Sequence, residues 1–181
     1  RERGDNSSGF PAAVPRAVSE VDWDRWSFTE EAVLCFVRSA DSILLIVKNT
    51  GLGAGKVNAP GGRIEPGESA HDAAVRETYE ETHISPRRLE HVAELQFIFT
   101  DGYSLRGHVF FAPAHEGTAA ATVEADPFWC DVRTIPYERM WADDAYWLPR
   151  LLVGERLLGR FIFDGERMLS HQIIPLCGSR R

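Results

Sequence analysis

The chain is poor in cysteine and has no long apolar segment. Its three cysteines, Cys35, Cys130 and Cys177, lie far apart in 181 residues and show no metal-ligand spacing. This argues against a disulfide framework or a cysteine-rich zinc site, and the odd count favours a reducing, cytoplasmic compartment. Because no apolar run reaches about 18 residues and no signal-like segment is present, we expect a soluble protein without a membrane partner.

The chain also lacks an excess of positive charge. Its formal net charge is −7 and its pI is about 5.4, which argues against a general binder of nucleic-acid polymers. A small polyanionic substrate is compatible with this charge if a metal ion offsets the carboxylates. The length predicts one domain, and 44% hydrophobic residues are enough to form a core.

One stretch, residues 62–84, combines a glycine-rich turn with an acidic helix. Ser69 is a good N-cap and Asp72 follows it by three residues, which predicts a helix start. Glu77, Glu80 and Glu81 then stand at i, i+3 and i+4, so their carboxylates can share one face. Like charges at this spacing destabilise a helix, and acids in its last turn oppose the macrodipole. A solvated acidic face is one reading, but a divalent cation bound between the carboxylates accounts better for the pattern.

The full spacing of this stretch resembles the box of the Nudix (MutT-type) hydrolases. The matching residues are Gly62, Glu68, Arg76, Glu77, Glu80, Glu81 and Ile84. Thr78 stands where the family usually has an aliphatic residue, and His83 replaces a glycine suited to a left-handed helix C-cap. We expect His83 to tolerate that conformation at a small cost in stability, since histidine adopts it more readily than branched residues do.

The remaining chain has the pattern of an α+β protein. Strands are expected at 33–38, 43–48, 89–100, 105–112, 128–132, 157–163 and 168–174, with helical segments at 137–141 and 146–153 and a glycine-rich loop at 49–62. The resemblance implies the Nudix fold, an α/β/α sandwich around a mixed sheet, over residues 30–174. Residues 1–29 then form a partly mobile extension, whose Trp23, Trp26 and Phe28 we expect to dock on the domain, and 175–181 form a loose tail.

The resemblance also implies the metal chemistry. Glu77, Glu80 and Glu81 would hold Mg²⁺, with Mn²⁺ as an alternative, together with a backbone carbonyl at Gly61 or Gly62. Arg76 would pair with Glu68 or Glu77 and fix the helix, and Glu77 or Glu80 would orient or deprotonate the attacking water. A further metal-binding acid is expected in the loop before the 128–132 strand, where Glu124 and Asp126 are both candidates.

A second constellation, residues 140–147, places two carboxylates among large aromatic side chains. An exposed turn with packed aromatics is one interpretation, but stacking rings and neighbouring acids can also recognise a purine. Close carboxylates in an apolar pocket can share a proton, so the pair can both donate and accept hydrogen bonds.

This segment and the 51–68 loop are similar to the animal-type MutT homologues that hydrolyse oxidised purine nucleoside triphosphates. The pocket implied by that similarity consists of Lys48, Asn58, Phe97, Trp141, Asp143, Asp144 and Trp147. Val33, Leu52 and Val57 depart from the residues of those relatives and leave the preferred base open.

The expected function is Mg²⁺-dependent hydrolysis of oxidised purine nucleoside triphosphates, such as 8-oxo-dGTP or 2-hydroxy-dATP. The products would be a monophosphate and pyrophosphate, and the role would be sanitation of the nucleotide pool by a monomer or small homo-oligomer. One alternative is a Nudix hydrolase of ADP-ribose, a dinucleoside polyphosphate or an RNA 5′ end. Another is a non-catalytic module that binds a nucleotide.

Overall fold

Strands make up most of the secondary structure of the computed structural model, which describes residues 13–177. The strands are β1 Glu30–Ser39, β2 Ser42–Lys48, β3 Val57–Asn58, β4 Gly61–Arg63, β5 Ser85–Arg87, β6 Glu90–Phe99, β7 Ser104–Ala112, β8 Ala114–Glu116, β9 Ala125–Asp131, β10 Arg156–Asp164 and β11 Arg167–Leu176. The helices are α1 Ala70–Thr82 and α2 Asp144–Leu152, with short 3₁₀ turns at Val18–Glu20 and Tyr137–Arg139. Residues 1–12 and 178–181, which include parts of the predicted extension and tail, lie outside the described residues.

The large sheet is mixed, as predicted. Its main path runs β11-β10-β6-β7-β1-β2-β3, while β4 pairs with β1 and β9 pairs with β2. The predicted hairpins β1–β2, β6–β7 and β10–β11 are antiparallel, whereas β1–β7 and β6–β10 are parallel. A separate small sheet joins β5 and β8.

The alternation of side chains along β1 explains the layered architecture. Because successive residues of a strand point to opposite faces, Cys35 packs on the α1 side and Phe36 on the opposite side. The α1 core includes Ala73, Ala74 and Ile84, and the opposite core includes Trp147 and other apolar residues of α2. One helix therefore covers each face, and the predicted α/β/α sandwich is confirmed.

The ends of α1 follow from its sequence. The Ser69 hydroxyl accepts a hydrogen bond from the Asp72 amide at 3.0 Å, so Ser69 is the N-cap. His83 is the C-cap with φ 62°, in the left-handed conformation expected for this position. Thr78 is fully buried, and its hydroxyl donates to the Ala74 carbonyl at 2.7 Å, which satisfies the polar group introduced in place of an aliphatic side chain.

The segment before β1 docks on the sheet. The Val18 amide donates to the Ser170 hydroxyl of β11 at 3.0 Å. The Arg160 guanidinium lies over the Trp23 ring at 5.0 Å, and the Arg106 guanidinium lies over the Phe28 ring at 5.7 Å. Within residues 13–177, no helix is long and apolar enough to cross a membrane.

Several short elements were not predicted. The 49–62 segment, expected to be a loop throughout, contains β3 and the start of β4. These strands have two and three residues and pair with strands that lie elsewhere in the chain. Local pattern alone does not distinguish such short strands from loops, because their pairing comes from the tertiary structure.

Candidate active site

A cavity of about 610 Å³ lies between the acidic end of α1, the glycine-rich loop and the start of α2. All seven residues predicted to bind the substrate line it: Lys48, Asn58, Phe97, Trp141, Asp143, Asp144 and Trp147. So do four of the residues predicted at the metal site, namely Gly62, Glu77, Glu81 and Glu124. The acidic stretch at 62–84 and the aromatic stretch at 140–147 therefore lie at two ends of one cavity.

At the acidic end, β4 lies against the inner face of α1. The Gly61 amide donates to the Glu81 carboxylate at 2.8 Å. A Cβ atom at Gly62 would lie 2.4 Å from the carboxyl carbon of Glu77, so only glycine lets this carboxylate approach the strand. The glycine at the start of the box is thus required by a close approach rather than by backbone conformation.

Arg76 organises the acids from outside the cavity. Its guanidinium makes two hydrogen bonds to Glu68, at 2.7 and 2.8 Å, and donates to Glu77 at 2.9 Å and Glu80 at 3.2 Å. A further bond reaches the Arg63 carbonyl at 3.1 Å, so Arg76 also ties α1 to β4. The hydrogen bond from Arg76 lowers the pKa of Glu68 to about 2. These contacts suit a residue that positions the helix.

Glu80 does not share the cavity wall with Glu77 and Glu81. Its side chain is half exposed and bonds to Arg76. Among residues 13–177, no three His, Cys, Asp or Glu side chains are already arranged around one point that could hold a metal ion. The single face expected for all three glutamates is therefore only partly realised, because Arg76 and the Gly61 amide are the positive partners that these carboxylates face.

The chemistry of the acidic end nevertheless fits a hard divalent cation. Burial raises the pKa of Glu81 to about 7, opposed by the Gly61 amide, and the charges of Glu77 and Glu124 raise it further. Burial also raises the pKa of Glu77, opposed by Arg76, with Glu80 and Glu124 adding to the rise. Close, partly desolvated carboxylates with only oxygen donors are a ligand set that Mg²⁺ or Mn²⁺ would neutralise. Of the two candidate loop acids, Glu124 lines the cavity and Asp126 does not.

At the opposite end, α2 begins with two buried acids. Asp143 and Asp144 are each 3% exposed. The Trp147 indole donates to Asp143 Oδ2 at 2.8 Å, whereas Asp144 Oδ2 has no hydrogen-bond partner among the described residues. Burial raises the pKa of both carboxyls, and the charge of Asp143 raises the pKa of Asp144 further. A buried carboxyl with a free oxygen requires a partner, which a ligand in the cavity can supply.

Aromatic rings form the walls beside these acids. The Trp141 indole packs edge-on against Phe163 at 5.6 Å and Phe99 at 6.2 Å. Phe97 is held by a stacked contact with Phe161 at 5.1 Å. The Trp141 ring is thereby fixed by Phe99 of β6 and Phe163 of β10.

The three departures from the relatives occupy different places. Val33 lines the cavity and is buried, and Leu52 stands at the mouth with 52% of its surface exposed. Val57, the third departure held to leave the preferred base open, is fully buried in the core and does not line the cavity. Its side chain points from β3 into the core, so of the three departures only Val33 and Leu52 are part of the cavity wall.

One polar group of the cavity was not predicted from the sequence. The Tyr103 hydroxyl donates to Glu30 at 2.6 Å, and Arg63 bonds to the same carboxylate at 2.8 Å. All three residues line the cavity. They come from β1, β4 and the segment before β7, so no local motif marks them.

The fold and this arrangement of acids belong to a known class. A model of the NUDIX domain matches residues 29–151, and the chain belongs to the Nudix family of hydrolases. Members of this family generally use divalent metal ions and bind small nucleotide substrates.

Two named proteins and one solved structure are similar to this chain over most of its length. The chain is 37% identical over 137 residues to the oxidized purine nucleoside triphosphate hydrolase of Danio rerio, covering 75% of this chain and 88% of that protein. It is 35% identical over 142 residues to the protein of the same description from Mus musculus, covering 77% and 91% of the two chains. A solved MutT protein from Bacillus halodurans superposes with a TM-score of 0.72 at 28% identity, covering 80% of this chain and 97% of that one.

Proposed function

We propose that this protein hydrolyses oxidised purine nucleoside triphosphates, such as 8-oxo-dGTP or 2-hydroxy-dATP, to the monophosphate and pyrophosphate. Asp143 and Asp144 carry the proposal, since this buried acid pair ends a cavity whose other end is acidic enough for a metal–phosphate group. The relatives described as oxidized purine nucleoside triphosphate hydrolases support the same substrate class.

The end of the cavity beside α2, here called the base end, is proposed to bind the purine base. Trp141 offers a flat face on which a purine can stack, and Asp144 has an oxygen free to bond to the base edge. When one carboxyl of the pair is protonated, it donates a hydrogen bond while the other carboxyl accepts one. The pair can therefore bind a base edge that presents both an acceptor and a donor. Asn58 adds an amide to the same wall, although its Oδ1 already accepts from the Ala59 amide at 2.9 Å. Its side-chain NH₂ is the group left for the base.

The acidic end supplies the reaction. Glu77, Glu80 and Glu81, with Glu124 and the Gly62 carbonyl, would hold Mg²⁺, or Mn²⁺ in its place. When bound, the ion supplies charge neutralisation of the phosphates and a lowered pKa of bound water. Glu77 or Glu80 would orient the attacking water or accept its proton, and Arg76 donates a hydrogen bond to each of these two carboxylates. Lys48, at the end of β2 and predicted as part of the base pocket, lies close enough to lower the pKa of Glu81, so its ammonium group would also contact the phosphate chain.

The direct test is pyrophosphate release from 8-oxo-dGTP, 2-hydroxy-dATP, dGTP and dATP with Mg²⁺ and with EDTA, alongside AMP formation from ADP-ribose. We expect Mg²⁺-dependent turnover with a preference for an oxidised purine. Preference for ADP-ribose would overturn the substrate assignment and leave the Nudix chemistry in place. Nucleotide binding without turnover would indicate a non-catalytic module.

The variant Asp144→Asn tests the base end separately. We expect it to raise KM for the oxidised purine by roughly tenfold or more, because a bond between charged and neutral groups is worth about 1.5–3 kcal/mol. The matched control is Asp126→Asn, which alters an acid that does not line the cavity and should leave KM unchanged. Equal KM values for Asp144→Asn and the unmodified protein would contradict this role.

The cellular location belongs to the same proposal. Cys35, Cys130 and Cys177 all carry free thiols. Unpaired cysteines are typical of a reducing compartment and support a cytoplasmic enzyme acting on the free nucleotide pool.

A further inference from the structure

Lys56 contacts Trp141 but lies outside the cavity. Its ammonium nitrogen is 5.3 Å from the centroid of the Trp141 ring, a distance typical of a cation–π contact. Trp141 lines the cavity and Lys56 does not. The ammonium group therefore supports the indole from behind the wall on which the base is proposed to stack.

The glycine-rich loop brings Lys56 to this place. The Lys56 amide donates to the Gly53 carbonyl at 2.9 Å, and the Lys48 amide donates to the Lys56 carbonyl at 3.0 Å. A Cβ atom at Gly53 would lie 2.7 Å from the Trp141 indole nitrogen, so the loop backbone also touches the ring. The loop and the Lys56 side chain thus hold Trp141 together.

On its other side, Lys56 reaches the β10–β11 turn. Its ammonium nitrogen is 3.4 Å from Glu166 Oε2, but the Glu166 side chain is 72% exposed. Such an exposed ion pair contributes little to stability. Because Trp141 is partly buried and Glu166 is not, the contact of Lys56 with the indole is better protected from solvent than its contact with Glu166.

We propose that Lys56 is a positioning residue that determines base specificity, by holding Trp141 in place and by acting through its positive charge on the Asp143–Asp144 pair. This inference rests on the proposed function, because it assigns Lys56 a part in reading the same base. Lys56 does not line the cavity, so it acts through Trp141 and the acids.

The electrostatic part follows from the groups around Asp144. Burial and the charge of Asp143 raise the pKa of Asp144, and the charge of Lys56 opposes that rise. From the 3₁₀ turn, Tyr137 also faces Asp144, since the Asp144 charge raises the pKa of Tyr137. Lys56 is the one cation in this group, so removing it shifts the acid pair toward its protonated form at a given pH.

The test compares Lys56→Met, Lys56→Arg and Glu166→Gln with the unmodified protein. Values of kcat and KM for 8-oxo-dGTP and dGTP are measured from about pH 5.5 to about pH 9. For Lys56→Met we expect a change of roughly threefold or more in the preference between the two bases, carried by KM, which is the size of a lost cation–π contact. The pH profile of Lys56→Met should also move to higher pH, because the charge that lowers the pKa of Asp144 is gone. Lys56→Arg should restore both properties, and Glu166→Gln should change the preference by less than about twofold.

A loop-stabilising role alone would have a different signature. Lys56→Met would then raise KM equally for both nucleotides without moving the pH profile, and that result would overturn the proposal. An unchanged Lys56→Met enzyme would overturn it too. If the unmodified protein hydrolyses neither nucleotide, the proposed function itself fails, which is a distinct outcome.

A second measurement needs no folded variant at position 56. Lys48 and Lys56 are the only lysines of the chain. Reductive methylation with isotope-labelled formaldehyde keeps their charge and gives each lysine a methyl signal in NMR spectra. We expect one ring-current-shifted lysine signal that moves when 8-oxo-dGMP binds and that is present in Lys48→Arg. Two unshifted lysine signals would contradict the contact with Trp141.

Discussion

Glu81 is expected to be held in the fold at a cost in stability. Burial raises its pKa from 4.5 to about 7, although the Gly61 amide partly offsets the effect. Between these two pH values the folded protein retains a proton that the unfolded chain has lost. The free energy of unfolding therefore falls as pH rises from about 4.5 to about 7, and it stays lower above that range.

The size of this effect follows from the shift. One pKa unit corresponds to about 1.4 kcal/mol, so the rise from 4.5 to about 7 means that an ionised Glu81 lowers the free energy of unfolding by at most about 3.5 kcal/mol. Glu81→Gln removes the ionisation and keeps an oxygen that accepts the Gly61 amide. In EDTA at pH 8, we expect this variant to unfold at a temperature about 4–10 °C higher than the unmodified protein, with the difference vanishing near pH 4.5.

The same change should abolish function, and this links stability to the metal site. Excess Mg²⁺ should raise the unfolding temperature of the unmodified protein and have little effect on Glu81→Gln, whose turnover should be lost. Glu116→Gln serves as the control, because Arg87 lowers the pKa of this exposed acid and its removal should not stabilise the protein. A Glu81→Gln protein that is no more stable than the unmodified one at pH 8 in EDTA would refute the reasoning.

Two further predictions concern α1 and the strand beside it. Gly62→Ala places a Cβ atom 2.4 Å from the Glu77 carboxyl carbon, so we expect a loss of kcat of roughly 100-fold or more in a protein that remains folded by circular dichroism. Near-normal kcat would show that Glu77 can move without consequence. His83→Gly relieves a left-handed C-cap at φ 62°, and after the entropic cost of glycine we expect a gain of about 0.5–1 kcal/mol in urea unfolding with unchanged turnover. A lower urea midpoint would mean that the stacking of His83 on Tyr79 outweighs the strain.

The local sequence predicted those helix ends and strands that are marked by characteristic residues. The N-cap at Ser69, the left-handed cap at His83 and the three long hairpins are marked by capping residues, turn residues and alternation. The spacing of the box predicted one shared face for Glu77, Glu80 and Glu81, because helical periodicity brings i, i+3 and i+4 together. Of these three residues, Glu77 and Glu81 line the cavity and Glu80 does not. The short strands β3, β4, β5 and β8 have no comparable signal, since they form only where another strand is already in place.

The sequence by itself determined the family, the sandwich architecture and the two groups of residues that line the cavity. Only the tertiary structure decided how those groups combine: Arg76 turns Glu80 outward, Glu124 rather than Asp126 lines the cavity, and Val57 points into the core. It also decided that Lys56 lies behind Trp141. The physical reason is that spacing along a chain sets which residues share a face, whereas burial and charge partners come from segments far apart in sequence.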